Sequence, residues 1–174
     1  MADFNVFEMM LFTLWIYLPG FLVNTFAMMW GKWLPKTGYG PWPIDGGRLH
    51  KDGNRILGDG KTWNGLIGGS LTSGLLCYLM TMVPENWIFI SPTEAATGWA
   101  SSAFVLGTFL GFTSLVGDST GSYFKRRKGM KREGDVSSKA PLLDTLPFAI
   151  SVFVFGQLFL TGSAHGDRDL LIPM

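Results

Sequence analysis

The chain has 174 residues, of which 47% are hydrophobic and only 16% charged, well below the roughly 25% charged share of soluble domains. Its single cysteine, Cys77, excludes an internal disulfide and a cysteine-cluster metal site. The formal net charge of +1 says nothing about partners until its distribution along the chain is read.

The apolar residues fall in long blocks, and a membrane-spanning helix needs about 20 of them. Val6 to Trp30 is the first block, with Glu8 near its outer end and Pro19-Gly20 at its centre, where a kink is expected. No Lys or Arg precedes it, and it exceeds the roughly 7–15-residue core of a signal peptide. Gly65 to Val83 and Trp99 to Val116 follow, both uncharged, and a fourth block runs from Leu142 to Leu160 with Asp144 in its first turn. A polar stretch, Thr161 to Asp169, then leads to Leu170-Leu171-Ile172-Pro173-Met174, which reads as a short external tail or as the start of a further helix. The expected fold is an all-α integral membrane protein, one domain over 1–174, with helices at about 6–30, 65–83, 99–116 and 142–160 and two large loops, 31–61 and 117–140.

Lys and Arg set the orientation. Lys32, Lys36, Arg48, Lys51, Arg55 and Lys61 lie in loop 31–61, and Lys125, Arg126, Arg127, Lys128, Lys131, Arg132 and Lys139 lie in loop 117–140. Of the fourteen cations only Arg168 lies elsewhere. Four helices put both basic loops on one side, so a multi-pass cell-membrane protein is expected, with both loops cytoplasmic and the N-terminus outside. Gly65 with Gly69, and Gly107 with Gly111, form G-x-x-x-G pairs that read as close helix contacts. Cys77 reads as a small core residue, and His50 and His165 as solvated.

The same side gathers the residues that carry chemistry. Asp118 ends the third expected helix and Asp144 opens the fourth, so two acids meet at one depth beside many cations. Membrane-edge acids are functional suspects by default, and such a pair suits Mg²⁺ holding phosphates; the plain alternative is that each merely ends or caps its helix. Lys125-Arg126-Arg127-Lys128 reads either as a topology and headgroup signal or, with Asp118, Ser122 and Asp144, as a phosphate site. Glycines 46, 47, 53, 58, 60 and 65 allow loop 31–61 close approach to a ligand. Gly58-Asp59-Gly60-Lys61-Thr62 is not a phosphate-binding P-loop, because position 55 is Arg where that motif has Gly. Lys61-Thr62 instead sits at the start of the second helix, where the dipole favours an anion.

These motifs resemble the CDP-archaeol synthases, relatives of the CDP-diglyceride synthases. The resemblance rests on Pro43-Ile44-Asp45-Gly46, Asp52-Gly53 with Arg55, Gly58 to Trp63, Gly117-Asp118, Ser122, Lys125-Arg126-Arg127, and Pro141 with Asp144 and Leu146. It covers nearly the whole chain. Asn64 stands where that family usually has Arg, Thr145 where it usually has Gln, and the family generally has a fifth helix.

The resemblance implies transfer of a cytidylyl group from CTP to 2,3-di-O-geranylgeranylglyceryl phosphate, with release of pyrophosphate. The implied partners are CTP, the isoprenoid lipid phosphate and membrane lipids, with no nucleic acid. It implies Asp118 and Asp144 on Mg²⁺, and Lys125, Arg126 and Lys61 on the reacting phosphates. Arg55, Thr62, Ser122 and Arg127 are further substrate-binding candidates, with Gly46. Asp45 and Asp59, with Asp52, are compatible with ordering the loop, contacting the nucleoside or assisting the metal. The competing readings are a CTP-dependent polyprenol kinase and a non-enzymatic lipid-phosphate transporter.

Overall fold

A computed structural model describes residues 6–84, 102–129 and 141–159. Residues 85–101, residues 130–140 and the tail with His165 lie outside the described residues. The described residues form four α-helices: α1 (Val6–Trp33), α2 (Trp63–Met80), α3 (Ala103–Arg127) and α4 (Pro141–Phe159), with a 3-10 turn at Leu34–Thr37. Among the described residues there is no strand beyond two isolated bridges, Pro43 with Thr62 and Leu49 with Arg55.

α1 continues past the expected Trp30 and ends through the Pro35-containing turn at Gly38, whose φ of 91° stops the helix in the left-handed region. α2 starts before the expected Gly65, because the Thr62 side chain caps it by accepting from the Gly65 N–H at 3.1 Å. The largest correction is α3. Expected to end at Val116, it runs on to Arg127. Residues 117–127 are therefore helix rather than loop, and Asp118 does not close its helix. Ser, Thr and Gly made this stretch look polar, but no proline interrupts it. Its last turn carries Lys125, Arg126 and Arg127, which suit the negative end of a helix dipole.

The helices pack in sequence, α1 on α2, α2 on α3 and α3 on α4, with α1 also reaching α3. Tyr17 is fully buried and lies edge-on to Phe153 of α4, at 5.7 Å between centroids. The pattern of burial is inverted relative to a soluble protein. α2 buries Gly65, Gly69, Ser70, Ser73, Gly74 and Cys77 while exposing Ile67, Leu71, Leu75 and Leu79. Helices that bury their small and hydroxyl residues and present their large apolar ones have a lipid environment in place of water. Among the described residues two stretches are long and apolar enough to cross a bilayer, Val6–Thr37 and Ala103–Arg127, and α4 adds the shorter apolar Thr145–Gly156.

The glycine pairs are the points of closest approach. A Cβ on Gly65 would lie 2.9 Å from the Ala27 carbonyl oxygen, and one on Gly69 3.0 Å from the Ala27 nitrogen. Gly107 meets Ser73 and Gly74, and Gly111 meets Ser73 and Val23. Ser73, wholly buried, donates to the Pro19 carbonyl at 2.7 Å and so ties α2 to α1. Cys77 is buried in the core beside Gly107, as expected. A side chain on Gly107 would meet backbone, 2.7 Å from the Ser73 carbonyl oxygen, which cannot swing aside. Gly107→Leu should therefore cost about 1–3 kcal/mol, read as a lowered Tm in detergent; an unchanged Tm would mean α2 and α3 do not pack this closely.

Candidate active site

Loop 31–61 is a folded unit rather than a connector. Its entry and exit run antiparallel: the Ile44 N–H donates to the Lys61 carbonyl at 2.9 Å and the Trp63 N–H to the Trp42 carbonyl at 2.9 Å. Asn64, buried at the start of α2, donates from Nδ2 to the Tyr39 carbonyl at 3.1 Å and lies against Gly40. The residue that departs from the expected Arg thus pins the loop entry to α2.

Asp45 is the hub. Its side chain is 1% exposed. Oδ1 accepts from the Gly47 N–H and Arg55 Nη2, and Oδ2 from Arg55 Nε and the Leu57 and Gly58 N–H groups, at 2.6–3.2 Å. Burial opposes the charged form, but the Arg55 guanidinium and the Gly58, Leu57 and Gly47 amides outweigh it and hold the carboxyl well below the usual range. Arg55 also donates from Nη1 to Asp59 at 2.6 Å, and Asp59 is 70% exposed. Gly46, at φ 56°, forms the turn beside Asp45. His50 is exposed, 3.7 Å from Asp52, as its solvated reading expected.

The loop is latched to α3. Arg127 holds both oxygens of Asp52 at 2.9 Å and donates from Nη2 to the Arg55 carbonyl at 2.7 Å. Tyr123, one turn back, places its ring 5.3 Å from the guanidinium. Asp52 is held below the ordinary carboxylate range chiefly by the Asn54 N–H, with the Arg127 charge assisting. The Arg126 guanidinium lies against Gly58, where φ is 93° and a Cβ would come within 3.1 Å of it.

At the centre Lys61 Nζ donates to Asp118 Oδ2, joining the start of α2 to α3. Both are partly open, with 23% and 19% of their side chains exposed. Asp118, Ser122 and Lys125 stand at i, i+4 and i+7 and so share one face of α3; Ser122 and Lys125 are buried. Gly117 packs on Pro147 and Ser151 of α4, and Asp144 belongs to the first turn of that helix. The Asp144 side chain lies outside the described residues. One expectation changes: two N–H groups at the start of α2 are already taken, Trp63 by the Trp42 carbonyl and Gly65 by Thr62. The positive charge offered there to a ligand is that of Lys61.

The structure thus brings Lys61, Asp118, Ser122, Lys125 and Arg126 to one end of the bundle. Asp45, Arg55, Asp59, Thr62 and Arg127 engage the protein itself around them. Tyr123 was missed by the sequence reading; its i, i+4 spacing to Arg127 becomes a signal only when α3 is carried to its true end. Asp52 was noted in a motif, but not as the partner of Arg127.

An all-helical bundle with a lipid-facing exterior, and at one end a group of cations with a carboxylate among them, defines a membrane-embedded protein with a charged site. The family model described as CarS-like, CDP-archaeol synthase, matches residues 6–164. The CDP-archaeol synthase of Thermococcus gammatolerans is 38% identical over 94% of this chain and 83% of its own length. That of Methanosarcina barkeri is 36% identical over 86% of this chain and 82% of its own. A solved structure of an intramembrane enzyme for archaeal membrane lipids biosynthesis superposes with a TM-score of 0.58 at 27% identity, covering 83% of this chain and 75% of that one. The chain belongs to the CDP-archaeol synthase family and is a membrane-located nucleotidyltransferase.

Proposed function

We propose that this protein transfers the cytidylyl group of CTP to 2,3-di-O-geranylgeranylglyceryl phosphate, forming the CDP-lipid and pyrophosphate. A lipid phosphate oxygen bonds to the α-phosphorus while the bond from that phosphorus to the bridging oxygen breaks, and pyrophosphate leaves. The nucleophile is already anionic, so no strong general base is required. The difficulty is repulsion between two polyanions, and the residues at this end of the bundle answer it with charge. The observation that carries the reading is the Lys61–Asp118 contact, flanked on α3 by Ser122, Lys125 and Arg126.

The family's use of a nucleoside triphosphate implies a divalent cation, and the donors fit one. Asp118 offers a carboxylate and Ser122 a hydroxyl one turn on. Among the described residues no cluster of three or more His, Cys, Asp or Glu forms a closed cage. Mg²⁺ suits such an open site, taking one or two carboxylates with phosphate oxygens and water. Bound, it would supply neutralisation and polarisation of the phosphoryl oxygens. Asp118, with Asp144 as the second carboxylate, would hold it.

Lys125 and Arg126 hold the triphosphate or the lipid phosphate, and Lys61 takes the other. Ser122 donates a hydrogen bond. Asp45, Arg55 and Thr62 shape the loop and its junction with α2 so that Gly58 and Lys61 meet Arg126 and Asp118; Gly46 supports that turn and Asp59 its outer rim. Arg127 latches the loop through Asp52. The chain crosses the membrane four times as one domain, with the N-terminus outside and the site at the cytoplasmic face, where Lys and Arg cluster. Isoprenoid tails remain among lipids, and only the headgroup enters.

The test is product analysis with purified protein, CTP, Mg²⁺ and the lipid phosphate. Pyrophosphate release that requires both substrates is expected. CDP release with a lipid alcohol instead would establish the kinase reading, and no turnover by folded protein would remove the enzyme assignment. Nothing favours a transporter: α1 is continuous through Pro19, and the charged groups of the candidate site sit at one end of the bundle rather than at broken mid-membrane helices.

A further inference from the structure

Lys61 and Asp118 are needed by different ligands, yet they hold each other. Asp118 is the acid proposed for the cation, and Lys61 a donor proposed for a phosphate. Neither can serve its ligand fully while the pair is closed. We propose that Lys61 is the resident counter-cation of Asp118 and is exchanged for a divalent cation on substrate entry, so the site admits nucleoside triphosphate as its metal complex. The inference rests on the functional reading above and adds the form in which the substrate is taken up.

Three observations support the exchange. The pair is partly solvent-exposed, 23% for Lys61 and 19% for Asp118, so water can reach both groups as they part. A pair in such a setting is weakly held compared with one sealed from water. Lys61 is an ammonium on a flexible four-carbon stem, a compact point charge that can move to a neighbouring anion. Its backbone does not need to move: the Lys61 carbonyl is held by the Ile44 N–H at 2.9 Å and its N–H donates to the Gly58 carbonyl at 3.3 Å. The side chain can therefore swing from a fixed base. Finally, Lys125 is buried on the same face as Asp118, and Arg126 follows it.

A bare divalent ion arriving at Asp118 would have to displace the Lys61 ammonium, leaving it with no anion to meet. The same ion carried by a triphosphate brings net negative charge, and the released Lys61 ammonium meets that charge instead of an empty space. Metal and triphosphate should then bind with positive coupling, and the coupling should depend on Lys61.

The experiment is Mn²⁺ binding by electron paramagnetic resonance to the full-length protein in detergent. Mn²⁺ is added alone, then with a non-hydrolysable α,β-methylene analogue of CTP. Wild type should bind free Mn²⁺ weakly, and the analogue should strengthen binding at least about ten-fold, within the usual range of coupling between sites. Lys61→Met should bind free Mn²⁺ about ten-fold more tightly than wild type and lose most of the strengthening. Lys61→Gln, which retains hydrogen-bonding capacity without charge, provides the same comparison if the Met variant fails to fold. Equal free-Mn²⁺ affinity in wild type and a folded Lys61 variant overturns the exchange while leaving Asp118 as the metal ligand, provided Asp118→Asn abolishes binding. Mn²⁺ binding that survives Asp118→Asn overturns the metal assignment itself and the exchange with it.

Discussion

Asp118→Asn should reduce pyrophosphate release by at least about 10²–10³-fold, the scale seen when one group that stabilises developing charge is removed, while Tm changes little. Asn has the shape of Asp and still accepts a hydrogen bond from Lys61, so the junction between α2 and α3 keeps its contact. What disappears is the negative charge that would hold a divalent cation against phosphate oxygens. The loss should appear in kcat at saturating CTP and be only partly restored by raising Mg²⁺. A comparable loss in Tm would instead make Asp118 a structural partner of Lys61. Full activity in a folded Asp118→Asn protein would remove this carboxylate from the mechanism.

Asp45→Asn should have the largest effect on the architecture of the site. Asp45 is almost wholly buried and accepts five hydrogen bonds. If the Asn oxygen faces Gly47 and Arg55 Nη2, its NH₂ faces three donors: Arg55 Nε, Leu57 N–H and Gly58 N–H. The reverse orientation sets the NH₂ against the other two. Removing one partner of a buried ion pair costs about 3–5 kcal/mol, here borne by the loop. Faster hydrogen exchange at Leu57 and Gly58 is the expected readout, with activity falling because Gly58 and Lys61 lose their fixed approach to Arg126 and Asp118. Unchanged exchange at those two amides would show that the hub is dispensable.

The pH dependence has a definite sign. Because the folded pKa of Asp45 lies below the ordinary 3.8, its contribution is fully present above that value. It is lost as pH falls below 3.8 toward the lowered folded value. The loop should therefore keep its order through neutral and mildly acidic conditions.

Some of the helix bundle is legible residue by residue. The uncharged run beginning at Gly65 is long and apolar, and its glycines recur one turn apart, so a helix packed closely on a neighbour follows from local chemistry alone. The end of α3 was not legible. Beyond Val116 the sequence turns polar, and hydropathy marks the edge of lipid, not the end of a helix. Intrahelical hydrogen bonds continue into water wherever no proline or capping glycine stops them, here until Lys128, with Gly129 in the left-handed region. The extension places Asp118, Ser122 and Lys125 on a single helical face, a relation invisible while they were read as loop residues.

The membrane-embedded class and the clustering of Lys and Arg in two stretches are written in the chain alone, because composition and hydropathy depend only on what is present and in what order. Tertiary structure decided the partners. A carboxylate such as Asp45, Asp59 or Asp118 has the same chemistry on paper. One is buried beneath Arg55 and three backbone amides, one rests on the exposed rim, and one meets Lys61 from 57 positions away. Burial and the direction of neighbouring donors, which arise only when loop 31–61 folds onto α3, separate the carboxylate that builds the site from the one that can offer its charge to a ligand.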